Sequence, residues 1–197
     1  KQERIIMKIA VFGSAFNPPH RGHMDVIEQL KPKFDKVLLI PSAAHAFGKK
    51  PVDIECRSKM LELILGDYFA NDPKIEVSLV EFDMVNNSED DKPVYSYDLL
   101  QYLNQETAAE YHLVIGPDNA ASETWQKFYK HKEIENEFAI TVVDERRKIR
   151  STEIRELLGL IAEDKTKRSL HNKLENFVGR SQCKFIIENL DSIIEQI

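Results

Sequence analysis

The apolar run Ile9-Ala10-Val11-Phe12 leads straight into Gly13-Ser14-Ala15-Phe16-Asn17-Pro18-Pro19-His20-Arg21-Gly22-His23, and no other stretch restricts the fold as much. A short β-type run, a Gly/Pro-rich turn and a helix-like pattern read as the first strand–turn–helix unit of a doubly wound sheet. A helix starting at such a turn offers unpaired backbone N–H groups and the positive end of its dipole, which together attract anions. Pro18 and Pro19 fix φ and stiffen the approach, while Gly13 and Gly22 remove Cβ atoms where a phosphate would come close. His20 and His23, three residues apart around Gly22, supply donors that can converge on one phosphate. A strand–helix loop with incidental histidines is the plain alternative, and it leaves the proline and glycine placement unexplained.

Further strand-like runs fall at 37–40, 75–80, 112–115 and 138–143, with helix-like segments at 22–30, 55–69, 97–105, 122–134 and 152–162. This alternation predicts βαβ units: a Rossmann-like α/β fold with a parallel sheet of about five strands and helices on both faces. The ligand crevice is then expected at the carboxyl ends of the strands, where the turn after the first strand lies. Residues 86–92 read as an acidic surface loop. Beyond Asp164 the chain turns polar, then resumes helical periodicity at 170–178 and 185–197. The expected division is an α/β domain over 1–164 and a C-terminal helical appendage, 165–197, packed on the same domain.

Composition narrows the function. A chain of 197 residues has room for one well-packed domain, and its net charge of −6 argues against sequence-independent binding to nucleic acid. No run approaches the roughly 18 apolar residues of a membrane span, and the charged residues 1–6 lack the apolar core of a signal peptide. Cys56 and Cys183 are far apart in helix-like patterns, so free thiols and a cytoplasmic setting are expected. There is no GxxxxGK[ST], GxGxxG or HExxH string, which removes support for P-loop, hydride-transfer and built-in metal chemistry. Oligomeric state has no signature here.

Two later segments carry chemistry. In Arg150-Ser151-Thr152-Glu153-Ile154-Arg155, Ser151 or Thr152 is a natural N-cap. If Thr152 caps, Arg155 falls three residues on, where the helix dipole disfavours a cation. A bound anion resolves that conflict; an arginine pointing to solvent is the ordinary alternative. In Gly116-Pro117-Asp118-Asn119, Asp118 either accepts hydrogen bonds from ribose hydroxyls or N-caps the next helix. Trp125 is the only tryptophan, a residue type more often core than ligand platform.

GSAFNPPHRGH resembles the nucleotide-binding turn of the HxGH nucleotidyltransferases, and its FNPPH wording is similar to the nicotinate-nucleotide adenylyltransferase family in particular. Residues 150–155 resemble that family's SSTxxR motif, with Arg150 where serine is common. Gly116, Asp118, Asn119, Thr124 and Trp125 are similar to its GxDN…TW pattern. Pro41, His45, Lys49 or Lys50, Arg57 and Met60 follow the order of its P…PPHK…R..ML stretch, with alanines in place of the double proline. Tyr95-Ser96-Tyr97-Asp98 resembles SYTxxTL, with Asp98 in place of threonine.

The resemblance, which runs over 8–155, implies transfer of AMP from ATP to a pyridine mononucleotide. It implies His20, His23 and Arg155 as catalytic groups. Gly13, Ser14, Phe16, Gly22, Gly116, Asp118, Ser151 and Thr152 would then bind ATP, and Asn17, His45, Lys49, Tyr97 and Trp125 the mononucleotide. Mg²⁺ would enter bound mainly through the ATP phosphates, with no protein ligand of its own. The acidic Asp98 lies where relatives meet the nicotinate carboxylate: turned inward it would favour nicotinamide, but with its side chain expected to face solvent the acceptor implied is nicotinate mononucleotide, nicotinamide mononucleotide being the alternative. A phosphopantetheine acceptor and a non-catalytic nucleotide-binding module are the remaining alternatives.

Overall fold

The computed structural model describes residues 6–43, 51–88 and 92–197. Along the chain come β1 (Lys8–Ser14), α1 (Arg21–Leu30), β2 (Lys36–Pro41), α2 (Ile54–Phe69), β3 (Ile75–Val77) and α3 (Val80–Asn86). There follow α4 (Ser96–Glu106), β4 (Glu110–Ile115), α5 (Pro117–Ala120), α6 (Ser122–Trp125), α7 (His131–Glu137) and β5 (Ala139–Val142). The chain closes with α8 (Ser151–Glu163), α9 (Arg168–Val178), α10 (Arg180–Glu188) and α11 (Leu190–Ile194). These elements form two compact units. One is made of the stretch up to Ser14, Val26–Ile40 and Pro73–Glu145; the other of Ala15–Asp25, Pro41–Asp72 and Arg146–Ile197.

The first unit holds the expected five-stranded parallel sheet, in the order β3-β2-β1-β4-β5. β1 is central because Ile9, Ala10 and Val11 are all buried, and only a strand covered on both faces tolerates such an unbroken apolar run. It pairs with β4 in the register Ile9↔Tyr111 and Val11↔Leu113. From β1 the strand order runs outward in both directions, so the switch point of the sheet lies between β1 and β4 at their carboxyl ends, beside Ser14 and Gly116. Leu99, Leu100 and Leu103 of α4 bury one apolar stripe against Ile9, Val11, Leu113 and Ile115.

The second unit is helical. Met60 of α2, Ile154, Leu157, Leu158 and Ile161 of α8, Leu174 and Val178 of α9, and Ile186 of α10 share one core. Gly179 enters α10 at φ +80, and a Cβ there would meet Asp67 and Tyr68 at 3.2 Å. The Asp67 carboxylate accepts hydrogen bonds from the Ser181 backbone N–H at 2.8 Å and hydroxyl at 2.6 Å, which secures the start of α10.

Three sequence expectations change. The run at 75–80 is strand only to Val77, because Val80 and Met84 meet the core at helical spacing and open α3. The helix expected at 122–134 breaks into α6 and α7, since Lys130 adopts the left-handed conformation (φ 53, ψ 42). The closing helix at 185–197 begins earlier, at Arg180, and breaks at Asn189 into α10 and α11. Of the acidic segment 86–92, residues 89–91 lie outside the described residues.

Candidate active site

The turn 15–25 belongs to the second unit and is clamped through its carbonyls. Arg57 Nη1 donates to Ala15 O (2.9 Å), Arg155 Nη1 to Asn17 O (2.7 Å), Ser151 Oγ to Pro18 O (3.0 Å) and Gln182 Nε2 to Pro19 O (3.0 Å). These donors come from α2, α8 and α10, so three helices fix one loop. Asn17 adds a fifth tie, its Oδ1 accepting from the Val52 N–H at 3.1 Å. The Asn17–Pro18 peptide is cis, and Phe16 stands at φ 46. The Phe16 ring is fully buried and packs on His23 at 4.8 Å, so any contact it makes with a ligand comes from its backbone.

His20 and His23 stack with centroids 3.8 Å apart and 28° between planes. The Gly22 N–H donates to His20 Nδ1 and the His20 N–H donates to His23 Nδ1, both at 3.1 Å. Each Nδ1 therefore acts as an acceptor, which in a neutral imidazole leaves the proton on Nε2. Burial, with the Arg150 charge adding to it, pushes His20 down to about 4. Burial and then His20 hold His23 well below the usual histidine range. Both rings are thus neutral near pH 7, each with an Nε2–H to donate. A Cβ on Gly22 would stand 3.0 Å from the His20 ring, so this glycine makes room for an imidazole. That is a second reason for a glycine here, beside the expected close approach of a phosphate.

Helix α8 starts differently from the sequence expectation. Its N-cap is Arg150, with no side-chain cap, and neither Ser151 nor Thr152 caps it. The Ser151 hydroxyl is directed to Pro18 O instead, and Thr152 Oγ1 accepts from Arg155 Nη2 at 3.0 Å. Starting at Ser151 puts Arg155 beyond the first turn and Glu153 inside it, so the expected clash with the dipole does not arise. Burial pushes the Arg155 pKa down from its ordinary value. Arg147, in the approach to α8, pairs with Asp25 of α1 at 2.8 Å.

The other predicted residues lie in the first unit, apart from His45 and Lys49, which fall outside the described residues. Gly13 and Ser14 end β1, with Gly13 exposed. Gly116 is the N-cap of α5, and a Cβ there would meet nothing within 4 Å. Asp118 is exposed inside the first turn of α5, which removes the N-cap alternative for it. Trp125 is only 9% exposed, lies in the apolar cluster and donates from Nε1 to Glu135 at 2.6 Å. Phe128 flanks it at 5.0 Å. The Tyr97 hydroxyl meets both Glu137 oxygens at 3.2 Å and accepts from Gln101 at 3.0 Å. Asp98 lies half-buried in the first turn of α4. Among the described residues, no group of three or more His, Cys, Asp or Glu side chains is placed to hold a metal ion.

Sequence reading passes over two clamps. Arg57 enters it only as part of a motif order, and Gln182 not at all; both are buried polar side chains in helices. The available signal is a long polar residue on the apolar stripe of a helix, which must find partners if buried.

A stacked imidazole pair on a clamped turn and a helix start with hydroxyls and an arginine together offer donors suited to phosphate oxygens. Residues 11–157 match the model of the cytidylyltransferase-like family, and the chain belongs to that family. Within it, the chain is 30% identical over 193 residues to a Sulfurimonas denitrificans protein named "Probable nicotinate-nucleotide adenylyltransferase", covering 89% of this chain and 97% of that one. A crystal structure of a "Putative Nicotinate-nucleotide Adenylyltransferase" from Vibrio parahaemolyticus is 31% identical with a TM-score of 0.71, over 92% of this chain and 99% of that one. Plasmodium falciparum nicotinic acid mononucleotide adenylyltransferase, solved with NaAD, shares the fold at 16% identity and a TM-score of 0.67, over 94% and 97% of the two chains.

Proposed function

We propose that the protein is a nicotinate-nucleotide adenylyltransferase: it transfers AMP from ATP to nicotinate mononucleotide, giving nicotinate adenine dinucleotide and pyrophosphate in NAD biosynthesis. The observation that carries this reading is the His20–His23 pair, both neutral and both protonated at Nε2, on a turn whose carbonyls are tied down. A 5′-phosphate oxygen of the mononucleotide attacks the α-phosphorus in line. The new P–O bond forms as the bond to the β-phosphate bridging oxygen breaks, and pyrophosphate leaves. No covalent intermediate on the protein is required, so positioning and charge stabilisation supply the rate. His20 and His23 donate from Nε2 to phosphate oxygens whose charge grows in the transition state. Arg155, the Thr152 hydroxyl and the first N–H groups of α8, that of Ser151 included, hold the β- and γ-phosphates.

By the same reading, Asp118 meets the ribose, and Tyr97 and Trp125 stand near the pyridine ring. Mg²⁺ would be held mainly through the ATP phosphates and would neutralise part of their charge. Among the described residues, no helix is long and apolar enough to cross a membrane. The cytoplasm is the proposed compartment, supported by the free Cys56 and Cys183, whose thiols burial pushes up to about 11. The test is pyrophosphate release with ATP against nicotinate mononucleotide, nicotinamide mononucleotide and phosphopantetheine. Turnover with phosphopantetheine alone, or with none of the three, refutes the proposal.

A further inference from the structure

In the first unit, Val94, Tyr95, Ser96, Lys127, Phe128 and Tyr129 line a cavity of about 450 Å³, a size usual for small-molecule sites. Tyr95 and Tyr129 keep 40% and 44% of their surface exposed, with ring centroids 4.7 Å apart and 33° between planes. The Lys130 ammonium stands 5.3 Å from the Tyr129 ring centroid and 4.5 Å from that of Tyr97. Its backbone adopts the left-handed conformation, unfavourable for any residue with a Cβ, and α7 starts from it. Aromatic faces lining a cavity, with a cation held against one of their rings, are elements that recognise a planar aromatic anion.

The Asp98 carboxylate acts on this cation from the residue next to Tyr97, over whose ring the ammonium stands at 4.5 Å. Asp98 lies in the first turn of α4, and Glu137 holds the Tyr97 hydroxyl at 3.2 Å. Desolvation works against the ammonium, but Tyr129, Tyr97 and Asp98 together outweigh it and raise its pKa above the ordinary lysine value. Lys130 is therefore charged at neutral pH, and the Asp98 charge is met by a cation held over two aromatic rings.

We infer that Lys130 is a specificity-determining residue: its ammonium offsets Asp98 and lets this cavity take an aromatic ring carrying a carboxylate in preference to the neutral amide. The inference rests on the adenylyl-transfer reading, whose two candidate acceptor rings differ in that one charge. It also explains how an acidic residue at 98 is compatible with an anionic acceptor, since an unopposed carboxylate there would repel it.

The experiment measures kcat/KM for nicotinate and nicotinamide mononucleotides at fixed ATP and Mg²⁺. The full chain is compared as wild type, Lys130→Met, Lys130→Arg and the double variant Asp98→Asn/Lys130→Met. Lys130→Met should shift the nicotinate-to-nicotinamide ratio by about tenfold towards the amide, mainly through KM, as loss of one partly screened charge predicts. Lys130→Arg should keep most of the wild-type ratio, and removing Asp98 as well should restore most of what Lys130→Met loses. Equal losses on both acceptors, or an unchanged ratio, overturn the inference while leaving adenylyl transfer standing. Wild-type protein that adenylylates neither mononucleotide overturns both.

Discussion

Arg57→Met is expected to unfold the second unit more readily than any surface change, and its cost follows from named bonds. Arg57 is 2% exposed and donates from Nε to Val52 O at 2.7 Å and from Nη1 to Ala15 O at 2.9 Å and Ser42 O at 3.0 Å. Methionine preserves much of the apolar stem but strands those carbonyls. Charge-assisted hydrogen bonds contribute about 1.5–3 kcal/mol each, so the gross loss is on the order of 4–9 kcal/mol. Relief of the guanidinium's desolvation offsets several kcal/mol of that, leaving a net cost of about 3–5 kcal/mol. For a chain of this size each kcal/mol lowers Tm by roughly 2–4 °C, so a drop on the order of 10 °C is expected. Urea titration followed by far-UV circular dichroism, together with a thermal scan, measures it. Arg57→Lys should recover only part, because a single ammonium cannot reproduce the fork geometry of the guanidinium. A midpoint shift equivalent to less than about 1 kcal/mol in Arg57→Met would refute the reasoning, since it would mean the carbonyls find other partners at no cost.

His23→Ala should lower turnover on the order of 10²–10³-fold with the far-UV spectrum preserved, and near-normal kcat would remove the assigned role. Arg155→Ala should mainly raise the KM for ATP and affect the mononucleotide little, because its proposed partners are phosphates present before reaction; the reverse pattern in paired titrations contradicts the triphosphate assignment. For pH, the folded-state pKa of His20 lies at about 4, below the usual 6.5, so the unfolded chain takes up the proton first. Its contribution to stability is full above about pH 6.5 and is lost as pH falls through 4, on the order of 3 kcal/mol in all. His20→Asn should flatten that slope in urea titrations between pH 7 and 4, and an undiminished slope would show that other groups carry it.

The centre of the sheet was legible because β1 and β2 are short, unbroken apolar runs, where burial on both faces leaves no alternation to misread. Ambiguity entered where a short apolar run admits two periods: 75–80 reads as a strand, yet Val80 and Met84 meet the core only at helical spacing. Lys130 broke an expected helix without warning, since lysine carries no preference for the left-handed region that would mark it. Arg150 likewise took the N-cap from two better cappers, because the Ser151 hydroxyl is used on Pro18 O and Thr152 on Arg155.

The candidate site divides along the same physical line, between what is local in sequence and what is not. The tautomers of the imidazole pair are set within four residues: His20 Nδ1 takes the N–H two positions ahead, and His23 Nδ1 takes the N–H three positions behind. The spacing His-x-Gly-His therefore encodes both the bonds and the small residue that admits the first ring, which is why so short a string carries so much chemistry. The clamps that hold the turn bring Gln182 to Pro19 across 163 positions, Arg155 to Asn17 across 138 and Arg57 to Ala15 across 42. A polar side chain destined for a buried carbonyl reads in one dimension like any solvated one. The sequence thus names the groups proposed to meet the phosphates, while the groups that keep the turn rigid become visible only when the helices are packed.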